Sequence, residues 1–321
     1  MLLVPAIIAT LLVTPTAQAT APPQCVDTLI GSAPTLHPEG ITYDPIRNRF
    51  LVGSITHGTV SVVNPDGSAR TFVDDPTLIT TMGLSVDLLR GRVLVVNGDI
   101  GRGDRSRPET IRKTAGLGIY SLLTGHRIRY VDLGALDPEH GHFGNDVAVA
   151  PNGTAYVTDS ISGAIYRVPL FGQPSILLRD DRLTPVVAGN GANGIVLHPR
   201  GFLLAAQSSG RALYRVPLDD PSMIEKVAIV DPIGAPDGLL LDRKDGQDGL
   251  LAIDNTRANR VLRLVSTDGW HTATVQVSNP WPDPAPTTMA RSRCGIYVLT
   301  GRLDLLQQGM PSDEFRLRRL P

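Results

Sequence analysis

Four short phrases place an oxygen-bearing side chain in the same local setting: Pro38-Glu39-Gly40-Ile41, Gly144-Asn145-Asp146-Val147, Ala192-Asn193-Gly194-Ile195 and Pro236-Asp237-Gly238-Leu239. In each, Gly or Asp follows the Glu, Asn or Asp, and an apolar run with strand character comes next. Two carboxylates and two carboxamides are hard oxygen donors, a set that suits Ca²⁺ and serves Zn²⁺ poorly, since Zn²⁺ favours His and Cys. One Asn or Asp before a strand is a common turn former. Four of them at equivalent points of four repeats argue for a shared divalent cation. A cation so held polarises an ester, lactone or phosphoryl oxygen for attack by water, and a nearby group must then accept the water's proton.

The four phrases open units that recur along the chain. Each unit has turn residues, a Gly, a short apolar strand, a turn, and further apolar strands. Met82-Gly83-Leu84-Ser85, followed by Val93-Leu94-Val95-Val96, opens another, and Thr287-Thr288-Met289-Ala290, followed by Gly295-Ile296-Tyr297-Val298, a degenerate sixth. A period of roughly 40–50 residues, with three or four short strands per unit, is the mark of a propeller and not of a helical solenoid. The turns Asn64-Pro65-Asp66-Gly67 and Pro151-Asn152-Gly153 supply residues that tolerate tight connections. Only Pro108 to Thr114 shows any helical periodicity. The expected fold is all-β, a six-bladed β-propeller with four-stranded blades, in one domain from residue 20 to 321. Glu314 to Leu320, or Val26 to Ile30, is expected to complete the sixth blade and close the ring.

In such a disc the innermost strands all start on one face, beside the central channel. The residues before them are Glu39, Met82, Asn145, Asn193, Asp237 and, in the sixth unit, Thr288 or Met289. The cation is expected between Glu39, Asn145, Asn193 and Asp237, with Met82 and Thr288 turned to the substrate. His37, His57, His140 and His142 fall in loops assigned to the same face. His37 and His142, nearest in sequence to the ligands, are candidates for the base, and His57 and His140 for substrate contacts. His126, His198 and His271 fall on outer strands or the opposite face and receive no role. The insertion Gly98 to Lys113, between the second and third strands of blade two, is expected to overhang the channel as a lid whose basic residues meet an acidic substrate.

With 321 residues, 42% hydrophobic and 19% charged, the chain can bury a full core. Thirty basic against thirty-one acidic residues leave a formal net charge of −1, so nothing favours nucleic acid or an anionic membrane as partner. Residues 1–19 hold an apolar run from Leu2 to Val13, too short to span a bilayer, and end in Ala17-Gln18-Ala19. They read as a signal peptide, hence a secreted, extracellular or periplasmic, protein. The only cysteines are Cys25 and Cys294. In an oxidising compartment they can bridge the two ends of the ring, worth roughly 4–5 kcal/mol in the chain-entropy model. Asn152-Gly153-Thr154 is a glycosylation sequon. The expected partner is a small molecule, and the protein a monomer.

On Glu39 in Pro-Glu-Gly-Ile, Asn145 in Gly-Asn-Asp-Val, Asn193 in Ala-Asn-Gly-Ile and Asp237 in Pro-Asp-Gly-Leu, the chain resembles the calcium-dependent six-bladed propellers. That family includes senescence marker protein/gluconolactonase, diisopropylfluorophosphatase and the paraoxonases. The resemblance covers essentially the whole mature chain. It implies that these four residues hold the catalytic cation and that Asp237 is the base, as in gluconolactonase-like members. The Cys25–Cys294 pair resembles the terminus-joining disulfide of the paraoxonases. Where paraoxonases present a His in blade two this chain has Met82, and where diisopropylfluorophosphatase has one in blade six it has Thr288 or Met289. The expected function is a Ca²⁺-dependent hydrolase of lactones or related esters. The alternative is a non-catalytic propeller with structural Ca²⁺ that binds a small molecule or partner on its channel face. A strictosidine-synthase-like propeller would lack the four-residue set.

Overall fold

The repeated apolar runs are rich in Val, Ile and Leu and bounded by turns, so each settles as a strand rather than a helix. The computed structural model describes residues 25–187, 189–244, 246–255 and 259–321. These residues form six mainly antiparallel sheets of four or five strands, stacked as the blades of a β-propeller. Blade one is Ile41–Asp44, Arg49–Gly53, Thr59–Val63 and Ala69–Asp74, from axis to rim. The innermost strands of the next five blades are Thr80–Asp87, His142–Val149, Ala192–His198, Pro236–Leu241 and Pro286–Ser292. All six start on what is called here the near face and end on the far face.

A blade is covered on both sides by its neighbours, which is why Thr59–Val63 is buried at every residue instead of alternating. The apolar core is accordingly divided into six clusters, each trapped between two adjacent blades. Far-face turns are held by acidic side chains. Asp44, for example, accepts from the backbone N–H of Ile46 and Arg47 and from the guanidinium of Arg49.

Both segments named for ring closure take part in it. Thr28–Ser32 pairs antiparallel with Glu314–Arg319, Leu29 opposite Leu317, and becomes the outer strand of blade six. Cys25 and Cys294 form a disulfide with their Cα atoms 5.5 Å apart. The proposed signal peptide, residues 1–19, lies outside the described residues. Among the described residues no helix is long and apolar enough to cross a membrane.

Two local expectations are corrected. Pro108 to Thr114 is not helical; it is a turn leading into the short strand Lys113–Thr114, which pairs in parallel with His142 and Phe143. Its single apolar position, Ile111, is too little to anchor an amphipathic helix. The α-helix seen among the described residues is α1, Leu303–Gln307, in the near-face connection of blade six. The Gly98 to Lys113 segment is a braced strap. Buried Asp99 accepts from Ser106 Oγ, Thr110 Oγ1 and Gly101 N–H. Arg105, counted as a lid cation, donates to the carbonyls of Asp75 and Leu78 and pairs with Asp74 at the rim of blade one.

Candidate functional site

The site is built from β-bulges at the start of five innermost strands and from the equivalent turn of blade one. In blades two to six the pairing of the innermost strand with its neighbour skips two residues near its start: Met82-Gly83, Asn145-Asp146, Asn193-Gly194, Asp237-Gly238 and Thr287-Thr288. In blade one the strand pairing starts at Ile41 opposite Val52 and Gly53 N–H donates to Gly40 O, which leaves Glu39-Gly40 just ahead of the strand at the equivalent place. A bulge re-aims a side chain that the regular pleat would have buried between blades. The first bulge residues are therefore Glu39, Met82, Asn145, Asn193, Asp237 and Thr287, around one axis. The second are Gly40, Gly83, Asp146, Gly194, Gly238 and Thr288. Glycine is needed where neighbouring backbones close in: a Cβ on Gly194 would lie 2.2 Å from Asp237 O, and one on Gly40 2.0 Å from Met82 O.

The carboxamides are oriented by a relay between blades. Asn145 Nδ2 donates to Ser160 Oγ at 3.0 Å, and Ser160 Oγ–H donates to Ala192 O, just before Asn193. Asn193 Nδ2 donates to Ser208 Oγ at 2.9 Å, and Ser208 Oγ–H donates to Pro236 O, just before Asp237. Each serine has given its proton to a carbonyl, so it accepts from the asparagine. The NH₂ group must face the serine, and the amide oxygen faces the opposite way. Thr158 and Thr287 complete the stitching by donating to Asn193 O and Glu39 O.

Three carboxylates share the buried centre. Burial pushes Asp237 up to about 7, against hydrogen bonds from Asn255 and Asn193 that oppose the shift. Burial raises Glu39 well above the usual carboxylate range, helped by repulsion from Asp237 and Asp146. Asp146, also lifted by burial to about 6, accepts from the N–H of Val147 and of Ile195 in the next blade. Among the described residues none of the three has an ion-pair partner, although most other buried aspartates of this chain have an Arg or His. Such a cluster calls for a cation. No group of three or more His, Cys, Asp or Glu among the described residues is arranged to hold a metal unaided. The set that fits is mixed, two carboxylates with two fixed carboxamide oxygens, which is oxygen chemistry of the Ca²⁺ kind. Asp146 was not singled out from the sequence; only its place directly after a ligand, where four of the blades have Gly, set it apart.

The remaining candidates are spread out. His142 is buried in blade three with Nδ1 2.7 Å from Asp159 Oδ2 and Nε2 2.8 Å from Asp137 O, so neither ring nitrogen is free to act as base. Burial pulls its pKa down most, but the hydrogen bond and charge of Asp159 together with those of Asp137 outweigh it and the net shift is upward. His140 is held by Asp137 and Arg179, and His57 by Asp104 and Pro34 O. These partners belong to near-face loops outside the ring, because long polar side chains there find local hydrogen bonds. His37 stays beside the ring: its Nδ1 lies 3.2 Å from both Gly301 O and Arg302 O, which fixes the proton there and leaves the lone pair on Nε2. Met82 does stand in the ring but is buried in the cluster of Ile55, against which α1 residues Leu303 and Leu306 pack. In blade six the bulge is Thr287-Thr288: Thr287 is fully buried with its hydroxyl on Glu39 O, Thr288 lines the channel cavity, and Met289, at the edge of that cavity, packs between blades five and six.

From the same ring a cavity of about 400 Å³ runs along the innermost strands to Pro45, Leu88 and Arg291 at the far face. Fold and site together define a six-bladed propeller with an oxygen-donor ring at the head of its channel. Among solved structures this chain is similar to the major Malassezia sympodialis allergen Mala s 1, at 19% identity and a TM-score of 0.72, with 92% of this chain and 96% of that one covered. It is similar to a gluconolactonase from Xanthomonas campestris at 16% identity and a TM-score of 0.61, with 92% and 89% covered. It is also similar to a calcium-binding protein, regucalcin, from Agrobacterium tumefaciens at 18% identity and a TM-score of 0.62, with 89% and 90% covered. No protein-family model matches the chain, and no curated protein sequence matches it. The similarities establish the fold.

Proposed function

We propose that the protein is a secreted, Ca²⁺-dependent hydrolase of lactones or related esters. The observation that carries this is the ring itself: two buried carboxylates with no ion-pair partner among the described residues, beside two carboxamides whose oxygens are turned by the Ser160 and Ser208 relays. Structural likeness to a gluconolactonase and to a calcium-binding regucalcin supports the same assignment.

Glu39, Asn145, Asn193 and Asp237 would hold the cation. Bound there, Ca²⁺ supplies Lewis acidity toward a carbonyl oxygen. Asp237, with one oxygen held at 3.0 Å from Asn255 Nδ2, would take the proton of the attacking water. His37, with its lone pair on Nε2, is the reserve base. Asp146 keeps the negative potential of the centre high and fixes the spacing of blades three and four through Ile195 N–H.

The test is turnover of aldonolactones, acyl lactones, aryl esters and phosphotriesters with and without a chelator, in the wild type and in Asp237→Asn. Chelator-sensitive turnover lost in the variant at saturating Ca²⁺ supports the proposal. Ca²⁺ binding without turnover on any substrate supports a second reading, a non-catalytic propeller with structural Ca²⁺. One feature favours that reading, namely that the four ring residues are each at most 8% exposed.

A further inference from the structure

The ring is approached differently from its two sides. On the near face, α1 of blade six packs against the cluster that includes Ile55 of blade one and Met82 of blade two, and Gly301 lies so close to Pro38 O that a Cβ would come within 1.8 Å. On the far side the cavity is continuous from the ring to solvent. Its wall there is mainly aliphatic: Val86, Val149, Val196, Leu197, Leu240 and Leu241 line it and are half-buried, with Thr42 and Ser85 interrupting. Leu241 lies four residues along the strand from Asp237, so the apolar stretch is roughly 13 Å long at the usual strand rise. At its far rim Leu88 is 43% exposed beside Arg291, which pairs with Asp242, and Ile46 and Leu89 on nearby turns are 67% and 82% exposed. An aliphatic-walled channel with a polar ring at one end matches an amphiphile with an unbranched chain and a compact polar head.

We propose that this channel is a binding site for an aliphatic chain, loaded from the far face, which places the head of the amphiphile at the ring. That the chain is the tail of a hydrolysed ester or lactone rests on the hydrolase reading; that the channel binds a chain rests on the lining alone.

The experiment titrates straight-chain alcohols from hexanol to dodecanol calorimetrically into the intact secreted protein. One site is expected, with affinity rising about fourfold per added methylene until the tube is filled. Ser85→Phe and Val196→Phe, which narrow the tube at different blades, are expected to weaken decanol binding at least tenfold, and Leu88→Glu at the rim to weaken it severalfold. Thermal melting of each variant confirms that it folds. Absence of binding, or affinities indifferent to chain length and to both wall variants, overturns the chain site. Decanol binding without turnover of any ester sustains the chain site while the hydrolase assignment falls. Turnover of short lactones with no chain-length dependence and no decanol binding does the reverse.

Discussion

At the scale of single residues, the ring is a set of charges whose cost depends on what joins them. Asp237 and Asp146 are lifted to about 7 and about 6 in the metal-free protein. Raised carboxylates hold protons that the unfolded chain has already lost, so the metal-free fold is more stable below about pH 4 and loses that advantage as pH rises through these values. Thermal melts in chelator are therefore expected to fall from pH 5 to pH 8, with added Ca²⁺ raising the melting temperature more at pH 8. Melts that rise over that window would contradict the assignment. Binding of Ca²⁺ at pH 6 should also release protons. Glu39→Gln, which removes one charge, should weaken Ca²⁺ binding by roughly a hundredfold or more. Ser160→Ala, which only frees the Asn145 amide to rotate, should weaken it by about fivefold, the loss of one ordinary hydrogen bond. Equal losses in the two variants would show that Ser160 does more than orient Asn145.

At the scale of elements, the bulge decides which side chains reach the axis. The second bulge position has almost no room at Gly194, so Gly194→Ala should destabilise by about 1–3 kcal/mol through overpacking, read as a lower urea midpoint with an unchanged slope. The short helix α1 belongs to no repeat. Its Leu303 and Leu306 lie against the near-face cluster, and His37 holds the carbonyls at its start. Replacing both leucines with Ala should leave the blades folded and open the near face. The expected readout is faster exchange of bound Ca²⁺ with a change of less than tenfold in its affinity. Unchanged exchange kinetics would mean that α1 does not guard the site.

At the scale of the whole molecule, a ring of blades is only as cooperative as its closing seam. Blade six takes its outer strand from Thr28–Ser32 and its three inner strands from the last part of the chain, with Cys25–Cys294 across the seam. Because the bridge closes nearly the whole chain, Cys25→Ser/Cys294→Ser should lower stability by roughly 4–5 kcal/mol in the chain-entropy model. Denaturant titration of that variant, with intact mass after alkylation of the unreduced wild type, checks both the bond and its worth. A loss below about 1 kcal/mol would mean that the strand pairing of Leu29 with Leu317 already seals the ring.

The propeller was legible in the amino-acid order because each blade repeats the same local physics: short β-branched runs, turn residues, and, in all but blade two with its Met82, a polar residue ahead of the innermost strand. Glu39, Asn145, Asn193 and Asp237 stood out for that reason, and so did the cysteines at the two ends. What depended on contacts between distant segments did not stand out. Asp146 reads as an ordinary turn residue until its carboxylate is seen bridging Val147 and Ile195, and His142 reads as a free base until Asp159 and Asp137 are found on both of its nitrogens. The choice between Thr287, Thr288 and Met289 required the strand register, since a shift of one residue exchanges channel and core. Local sequence determined which segments become strands and where oxygen donors lie along them. Only the closed tertiary structure decided which donors lose their water and counter-ions together, because burial and pairing belong to neighbours brought from other blades.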